Sequence, residues 1–289
     1  MKYAFIAAHE KDFPIRRLCH VLEVSESGYY AWCKRAPSER KRTDEELGKR
    51  IEDAYRNNRR VYGSPRLHAE LKEQGMHCVR KRVARLMRKR GINAKPRRRK
   101  MKTTDSNHSN PVAPNLLNRD FTADAPNTKW VADITGIETI EGWLYLAAIV
   151  DIYSRFVVGW AMGKERDEQL IPFAAVMAVE RRQPGAGLLH HSDRGSQYTS
   201  SGYQTLLKQY GIEISMSGKG DCYDNALMES FFGTVKEECA EQQTYRTRAE
   251  ARQSVFEYLE VFYNRQRKHS SLGYLSPATY EQIKGETNI

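Results

Sequence analysis

Residues 129–163 read KWVADITGIETIEGWLYLAAIVDIYSRFVVGWAMG, and this stretch decides the fold. Apolar residues dominate three runs of eight or nine residues, which are separated by the polar breaks Glu141-Gly142 and Tyr153-Ser154. Runs of this length and pattern, joined by short breaks, are typical of consecutive antiparallel strands. The predicted strands span 129–137, 143–151 and 156–163.

The sequence after this stretch alternates between helix-like and strand-like patterns. Three antiparallel strands followed by such an alternation predict an α/β fold, with a mixed five-stranded sheet flanked by helices. The two later predicted strands span 187–191 and 212–216, and the predicted helices span 167–182, 202–210, 224–238 and 248–265.

Three carboxylates occupy positions that suit metal ligands. Asp133 lies in the first predicted strand, Asp193 lies two residues after the fourth, and Glu229 lies in a predicted helix. Asp193 and Glu229 have 35 residues between them. A strand, a strand end and a helix can bring three acids to one point, and such hard oxygen ligands suit Mg²⁺. Two Mg²⁺ ions held in this way would support in-line phosphoryl transfer on nucleic acid.

Each acid also has an ordinary interpretation when it is taken alone. An isolated Asp at a strand is usually a turn or cap residue, and an isolated Glu is usually an exposed helix residue. A carboxylate among buried strand neighbours, however, is costly without a cation. Asp151 is interpreted as a cap or as a partner of Arg155, and Asp224 as the start of the Glu229 helix.

Basic and imidazole side chains near the acids add further candidates. Lys236 follows Glu229 by seven positions, hence on the same helix face, where it contacts phosphate or pairs with an acid. His190 and His191 are either strand residues or DNA contacts. Gly218-Lys219-Gly220 lacks the remaining residues of a phosphate loop, so it predicts a mobile loop from which Lys219 reaches DNA.

The charge of the chain is concentrated in one block. The formal net charge is +11 and the sequence pI is about 9.4. Residues 80–102 contain 13 of the 47 basic residues and no acid, which leaves 34 basic against 36 acidic residues elsewhere. A local excess of this kind indicates a polyanionic partner such as nucleic acid, more than general solubility.

Four regions follow from these patterns. Residues 1–40 form a predicted arm with a pair of short helices, which either resembles a helix-turn-helix or only packs. Residues 41–94 predict three helices, with Thr43 opening the first and Gly91 ending the basic third helix. This region resembles a DNA-binding helix-turn-helix; the alternative is a solvated basic helix. A basic, Pro-containing linker at 95–122 precedes a catalytic core at 123–285. The predicted DNA-binding residues are Arg80, Arg82, Arg85, Arg97, Arg98, Arg99, Lys100, Lys219 and Lys236.

Composition also indicates the redox compartment of the protein and whether it is expected to span a membrane. The five cysteines are odd in number and lack zinc-ligand spacing, which favours free thiols in a reducing compartment. No apolar run approaches the ~20 residues of a membrane span. We therefore expect a cytoplasmic, nucleoid-associated protein without a membrane partner.

The short sequence segments around the three acids resemble those of the DDE transposases of bacterial insertion sequences, which are related to retroviral integrases. That family has two Asp residues, then Glu after 35 residues, then Lys or Arg seven positions on. Asp133, Asp193, Glu229 and Lys236 match this pattern residue by residue. The resemblance covers nearly the whole chain and points to the second-reading-frame product of two-frame elements. Further similar segments are 130–135, 191–198, 224–226, 263–267, 269–272 and 276–277.

This resemblance implies a ribonuclease-H-like fold and a DNA transposase that cleaves at element ends and transfers strands. It implies that Asp133, Asp193 and Glu229 are both catalytic and metal-ligating, with Mg²⁺ as the cofactor, replaceable by Mn²⁺ and bound as two ions. The implied partners are double-stranded terminal-repeat and target DNA, further copies of the chain, and the first-reading-frame product. Two alternatives remain open: a nuclease of the same fold that only hydrolyses, and a catalytically silent DNA-binding regulator.

Overall fold

The structure is a computed structural model that describes residues 1–93, 112–218 and 222–287. The helices before the sheet are α1 Lys2–His9, α2 Ile15–Val21, α3 Glu26–Lys34, α4 Glu39–Asn57, α5 Ser64–Glu73 and α6 Arg80–Lys89. The sheet region comprises β1 Lys129–Ile137, β2 Leu144–Asp151, β3 Val157–Gly163, α7 Leu170–Arg182, β4 Leu189–Ser192, α8 Ser196–Thr199, α9 Ser201–Gln209 and β5 Glu213–Met216. Then follow a 3₁₀ turn Cys222–Asn225, α10 Ala226–Val235, a first π-helix Lys236–Ala240, α11 Arg248–Phe256, a second π-helix Glu257–Tyr263, a 3₁₀ turn Ser270–Leu272 and α12 Pro277–Thr287.

The sheet confirms the predicted mixed architecture. Its five strands are ordered β3-β2-β1-β4-β5. The first three strands pair antiparallel, whereas β4 and β5 run parallel to β1. All five predicted strands are present, and β1 has the predicted bounds. The strand pattern was decisive because each run is long enough to cross the sheet and apolar enough to be buried on both faces.

Alternation along β1 assigns its side chains to two separate cores. Trp130 and Ala132 belong to a cluster with α7 and α9 on one face of the sheet. Val131 and Ile137 belong to a second cluster, with α10 and α11, on the other face. Asp133 has the parity of Val131 and Ile137, so its side chain lies on the face covered by the Glu229 helix.

Helices α4–α6 share the second core with the sheet. Leu67 and Leu86 of this helical unit belong to the same buried cluster as Phe231 of α10 and Tyr258 of the second π-helix. A separate small cluster, formed by Ile6, Cys19 and Tyr29 of α1–α3, is the core of the N-terminal arm. Helices α4–α6 are therefore packed against the sheet region through a shared core.

Local details correct some of the predicted boundaries. The arm contains three helices, because α1 precedes the predicted pair; the Ser25 side chain caps α3 by accepting from Gly28 N. Helix α4 starts at Glu39, capped by Ser38, so Thr43 lies inside the helix. Gly91 ends α6 in the left-handed region, φ +68, as predicted. The predicted helices 224–238 and 248–265 each change from α to π geometry near their middle or end.

Candidate active site and nucleic-acid interface

The parallel pairing of β1 with β4 brings two of the three acids together. Lys129 is opposite Leu189 and Val131 is opposite His191, which is the last pair of this ladder, so Asp133 and Asp193 each follow the paired residues by two positions. Asp193 follows the last residue of β4, at the carboxyl end of that strand. Ligand sites of parallel sheets occur at this edge. Sequence spacing alone could not give this adjacency, because it depends on the register.

The electrostatics of Asp133 show that like charges converge there. Its Oδ1 accepts from Ile134 N at 2.7 Å. Burial and the neighbouring Asp193 carboxylate raise the pKa of Asp133 well above its usual range, and Glu229 adds to the rise. The Ile134 N–H and the Arg166 guanidinium oppose it without cancelling it. Such a perturbation by burial plus a named charge is typical of functional sites.

Glu229 is the third member of this acid site. It lies on α10, which is tied to β1 by a 3.4 Å hydrogen bond from Asn225 Nδ2 to the Ala132 carbonyl. The Glu229 side chain is exposed, whereas those of Asp133 and Asp193 are half-buried. Across residues 1–93, 112–218 and 222–287, no three Asp, Glu, His or Cys side chains form a ready-made set of metal ligands. The structure thus pairs two acids and holds the third within electrostatic range.

The donor chemistry of this site fits a divalent cation. Carboxylate oxygens are the ligands that Mg²⁺ prefers. Neighbouring carboxylates that raise one another's pKa are also stabilised when a cation neutralises them. Asp133, Asp193 and Glu229 could share such an ion.

Arg166 and Tyr198 are site neighbours that the sequence analysis missed. Gln197 Nε2 donates to the Arg166 carbonyl at 3.1 Å, which fixes the segment after β3 against the segment after Asp193. The Tyr198 hydroxyl is buried without a hydrogen-bond partner among the described residues. Burial, then Asp133 and Asp193, raise the pKa of Tyr198. Tyr198 lies within the quoted segment 191–198, but nothing in the sequence marks Arg166.

The two histidines of β4 are structural. His190 Nε2 lies 3.0 Å from the Tyr203 hydroxyl, and His191 Nδ1 lies 2.8 Å from Ser215 Oγ. Burial lowers the pKa of His190 to about 3 and that of His191 to about 4. Both rings are therefore neutral and buried, which supports the strand interpretation over a DNA contact.

Asp151 and Asp224, two other acids near the site in sequence, accept hydrogen bonds that order neighbouring segments. Asp151 accepts from Asn127 N at 2.7 Å and Tyr153 N at 2.8 Å, so it is a cap, and burial raises its pKa to about 6. Asp224 accepts from Gly218 N, Asn115 Nδ2 and Arg119 Nε. These bonds pin residues 115–119, the last part of the predicted linker, beside the start of the Glu229 helix.

The basic face of α6 is partly neutralised within the fold. Asp44 of α4 accepts from Arg82 Nε at 2.8 Å and Arg85 Nη2 at 2.6 Å. Arg90 pairs with Glu52 and Glu45. The block at 80–102 contains no acid, but acids of α4 reach it across the helix interface. The expectation that no acid balances this charge was wrong for these arginines, because it considered neighbours in sequence only.

The remaining predicted DNA contacts fall into two groups. Arg80 at the start of α6 is exposed, as are Lys81, Arg88 and Lys89, and none of them has an ion pair within the described part of the chain. Lys236 lies at the end of α10, two helical turns after Glu229 and half-buried. The predicted contacts outside the described residues are Arg97, Arg98, Arg99, Lys100 and Lys219.

None of the described helices combines the length and apolar character needed to traverse a lipid bilayer. The described cysteines Cys19, Cys33, Cys78 and Cys239 are free thiols. Cellular location and nucleoid association remain predictions.

Comparison with protein families gives three matches. Residues 123–222 match the Integrase core domain, and residues 210–277 match a second family of that description. Residues 42–100 match an HTH-like domain. The first two matches together span the sheet, the three acids and the second π-helix.

Individual relatives match along most of their length. An insertion element IS600 uncharacterized 31 kDa protein of Shigella sonnei is 48% identical over 92% of this chain and 97% of its own. Transposase InsF for insertion sequence IS3A of Escherichia coli K12 is 43% identical over 97% of this chain and 98% of its own. Among solved structures, the HTLV-2 integrase catalytic core domain in complex with magnesium is 18% identical, covering 54% of this chain and 97% of its own, with a TM-score of 0.41.

Proposed function

This chain belongs to the insertion-sequence transposases that carry an integrase core domain, and we propose that its acids catalyse the reaction while its basic surfaces bind DNA. It acts in DNA transposition and integration as a polynucleotidyl transferase. The acid site is assigned to phosphoryl transfer, and the HTH-like unit to DNA binding. The observation that supports the first assignment is the proximity of Asp133 and Asp193: both follow the Val131–His191 pair by two positions, and the Asp193 carboxylate adds to burial in raising the pKa of Asp133.

In the proposed site, Asp133, Asp193 and Glu229 hold two Mg²⁺ ions, with Mn²⁺ as a substitute. When bound, the ions activate water and stabilise charge on the attacking and leaving oxygens of an in-line displacement. The protein contributes the fixed β1–β4 pair and the adjustable Glu229 side chain. Arg166 offsets part of the negative charge of Asp133.

The proposed reaction has two displacements at phosphorus. Water first attacks a phosphodiester at the element end; the bond from phosphorus to the 3′ oxygen breaks, and that oxygen leaves as a 3′-hydroxyl. This hydroxyl then loses its proton and attacks a phosphodiester of the target, which joins the strands and releases the target's own 3′-hydroxyl. No covalent bond between protein and DNA is needed.

DNA is held by surfaces with different tasks. Exposed Arg80 and the other unpaired cations of α6 contact phosphates, which supply affinity. Arg82 and Arg85, oriented by Asp44, are placed to read base edges, which supply sequence preference. Lys236 contacts phosphate beside the acid site. Sequence alone supports phosphate contacts for Lys219 and for Arg97, Arg98, Arg99 and Lys100.

The active complex is proposed to contain more than one copy of the chain, bound to terminal-repeat and target DNA. The first-reading-frame product of the same element is the proposed protein partner. Both proposals rest on family resemblance.

The decisive experiment is incubation of the chain with labelled terminal-repeat DNA from its own flanking region, with Mg²⁺, with Mn²⁺ and with EDTA. We expect metal-dependent cleavage that yields a 3′-hydroxyl, followed by joined products. Cleavage without joining would identify a nuclease that only hydrolyses. Binding without cleavage, with and without the first-frame product, would identify a silent regulator.

A further inference from the structure

Glu238 is a buried carboxylate close to the proposed catalytic Glu229 along the chain. It belongs to the first π-helix, which continues directly from α10, and its side chain is only 8% exposed. A buried charge is costly unless partners satisfy it. The donors around the Glu238 carboxylate therefore show which parts of the chain it connects.

Three segments converge on the Glu238 carboxylate. Arg267 of the C-terminal tail donates to both oxygens, through Nε at 2.6 Å and Nη2 at 2.7 Å. The Tyr258 hydroxyl of the second π-helix donates at 2.9 Å. Arg66 of α5, in the HTH-like unit, donates through Nη1 alone at 3.2 Å. Four charge-assisted or neutral donors on two oxygens fix the carboxylate in one position.

The same C-terminal segment, residues 266–268, is also bound to α5 and to Tyr62, which precedes α5. The Tyr62 hydroxyl accepts from Lys268 N at 2.8 Å and donates to the Gln266 carbonyl at 3.3 Å. Lys268 Nζ pairs with Glu73 and, at 3.6 Å, with Glu70. These contacts and those of Glu238 form one polar network, which we call the joint; it links α5, the π-helices and residues 266–268. Within the joint, Arg66 is the ion-pair link from α5 to the π-helix, whereas Lys268 links α5 to the tail.

The joint lies where helical geometry changes. The Glu229 helix passes from α to π geometry at Lys236, and the second π-helix supplies Tyr258. π-helical turns are rare, and they are frequent at functional sites. Nine positions separate Glu229 from Glu238, about 13 Å along a helix axis at the usual rise. A shift at Glu238 therefore displaces the helix that positions Glu229.

We propose that Glu238 and Arg66 are positioning residues, which fix the Glu229 helix against the DNA-binding unit so that DNA held by α4–α6 meets a correctly placed third acid. This inference rests on the proposed function of the acid site. Without Arg66, Glu238 keeps Arg267 and Tyr258 and remains paired, so the protein folds. What is lost is the ion pair between α5 and the π-helix that continues the Glu229 helix, whereas the shared apolar core remains.

The test compares Arg66→Met with Lys268→Met in the full-length chain. Each variant removes one cation of the joint, but only Arg66 contacts the π-helix. A third variant, Arg66→Lys, restores a cation at a contact that uses a single donor, so lysine is able to replace it in part. The measurements are end-DNA affinity, cleavage rate at saturating DNA, and amide hydrogen exchange across residues 226–240.

We expect unchanged DNA affinity in all three variants. Arg66→Met lowers the cleavage rate at saturating DNA by ~10- to 100-fold, the cost of a misplacement of about 1 Å, and Arg66→Lys recovers part of it. Lys268→Met stays near the wild-type rate. Hydrogen exchange across 226–240 becomes faster in Arg66→Met and not in Lys268→Met.

Equal losses in Arg66→Met and Lys268→Met would overturn the proposal, since both contacts would then be merely structural. Unchanged hydrogen exchange in Arg66→Met would also overturn it. Failure of the wild-type chain to cleave would instead contradict the proposed function, and hydrogen exchange would still decide whether Arg66 restrains the helix.

Discussion

The HTH-like unit and the acid site differ in how their charged side chains are arranged: opposite charges pair in the first, and like charges converge in the second. In α4–α6, Asp44 holds Arg82 and Arg85, and the opposite charges are satisfied inside the fold. At the acid site, burial and the neighbouring Asp193 carboxylate raise the pKa of Asp133, because like charges converge there. Paired charges orient side chains, whereas converging like charges cost stability unless a ligand neutralises them. The comparison distinguishes charges that the fold already pairs from converging like charges, which are typical of functional sites.

The largest expected effect is at the acid site. Asp133→Ala, Asp193→Ala and Glu229→Ala should each abolish cleavage and joining, a loss of at least ~10³-fold for a group that stabilises transition-state charge. DNA binding should remain largely intact, because the α4–α6 surface is untouched. Cleavage assays with parallel binding titrations provide the measurement.

Asp151→Asn is the matched control, since Asp151 is a buried acid that caps backbone N–H groups. It should retain measurable cleavage. A variant of the three acids with near-wild-type cleavage would remove that residue from the site and weaken the contrast between the two regions.

The buried Glu238–Arg267 pair should contribute more to the free energy of unfolding than the more exposed ion pairs do. Glu238→Ala leaves Arg267 buried without its bidentate partner, which we expect to lower the free energy of unfolding by ~3–5 kcal/mol. Glu52→Ala, which breaks a more exposed pair with Arg90, should cost at most ~1 kcal/mol. Urea denaturation of both variants gives the measurement. If Glu238→Ala is too unstable to purify, Glu238→Gln should show a smaller loss in the same direction; comparable stability of the Glu238 and Glu52 variants would contradict this ranking.

The basic block should control the salt dependence of DNA binding. Replacing Arg97, Arg98, Arg99 and Lys100 with Ala should flatten the log–log salt slope by up to ~4, because each neutralised phosphate contributes about 0.9. Binding to matched and scrambled terminal DNA should weaken alike. Titrations at three salt concentrations test this. An unchanged slope would mean that these four residues do not contact phosphate.

The smallest effect should come from releasing the paired arginines. Asp44→Asn frees Arg82 and Arg85 from their acid, so the salt slope should steepen by up to ~2. Preference for matched over scrambled end DNA should fall, because the arginines lose their fixed orientation. The same titrations provide the readout. If preference is retained, Asp44 is only a structural partner of α6.

Much of the catalytic region could be predicted because its signals are local. Apolar runs of eight or nine residues predicted the three leading strands, and the spacing of Asp193, Glu229 and Lys236 matched a known family. Boundaries were less predictable where several side chains compete for one role. Ser38 caps α4 in place of Thr43, and the α-helix after Asp224 starts only at Ala226, after a 3₁₀ turn.

The sequence by itself determined the strands and the family, and it led to the proposal of the three acids, since apolar runs and motif spacing can be read along the chain. Only the tertiary structure decided which charges are satisfied. Asp44 meets Arg82 from 38 positions away, and Arg66 meets Glu238 from 172 positions away. Contacts of that kind depend on how helices pack and on strand register, and the strength of an ion pair depends on the burial that packing creates. Packing therefore decides which arginines, such as Arg66 and Arg82, meet an acid within the fold, and where like charges such as those of Asp133 and Asp193 converge.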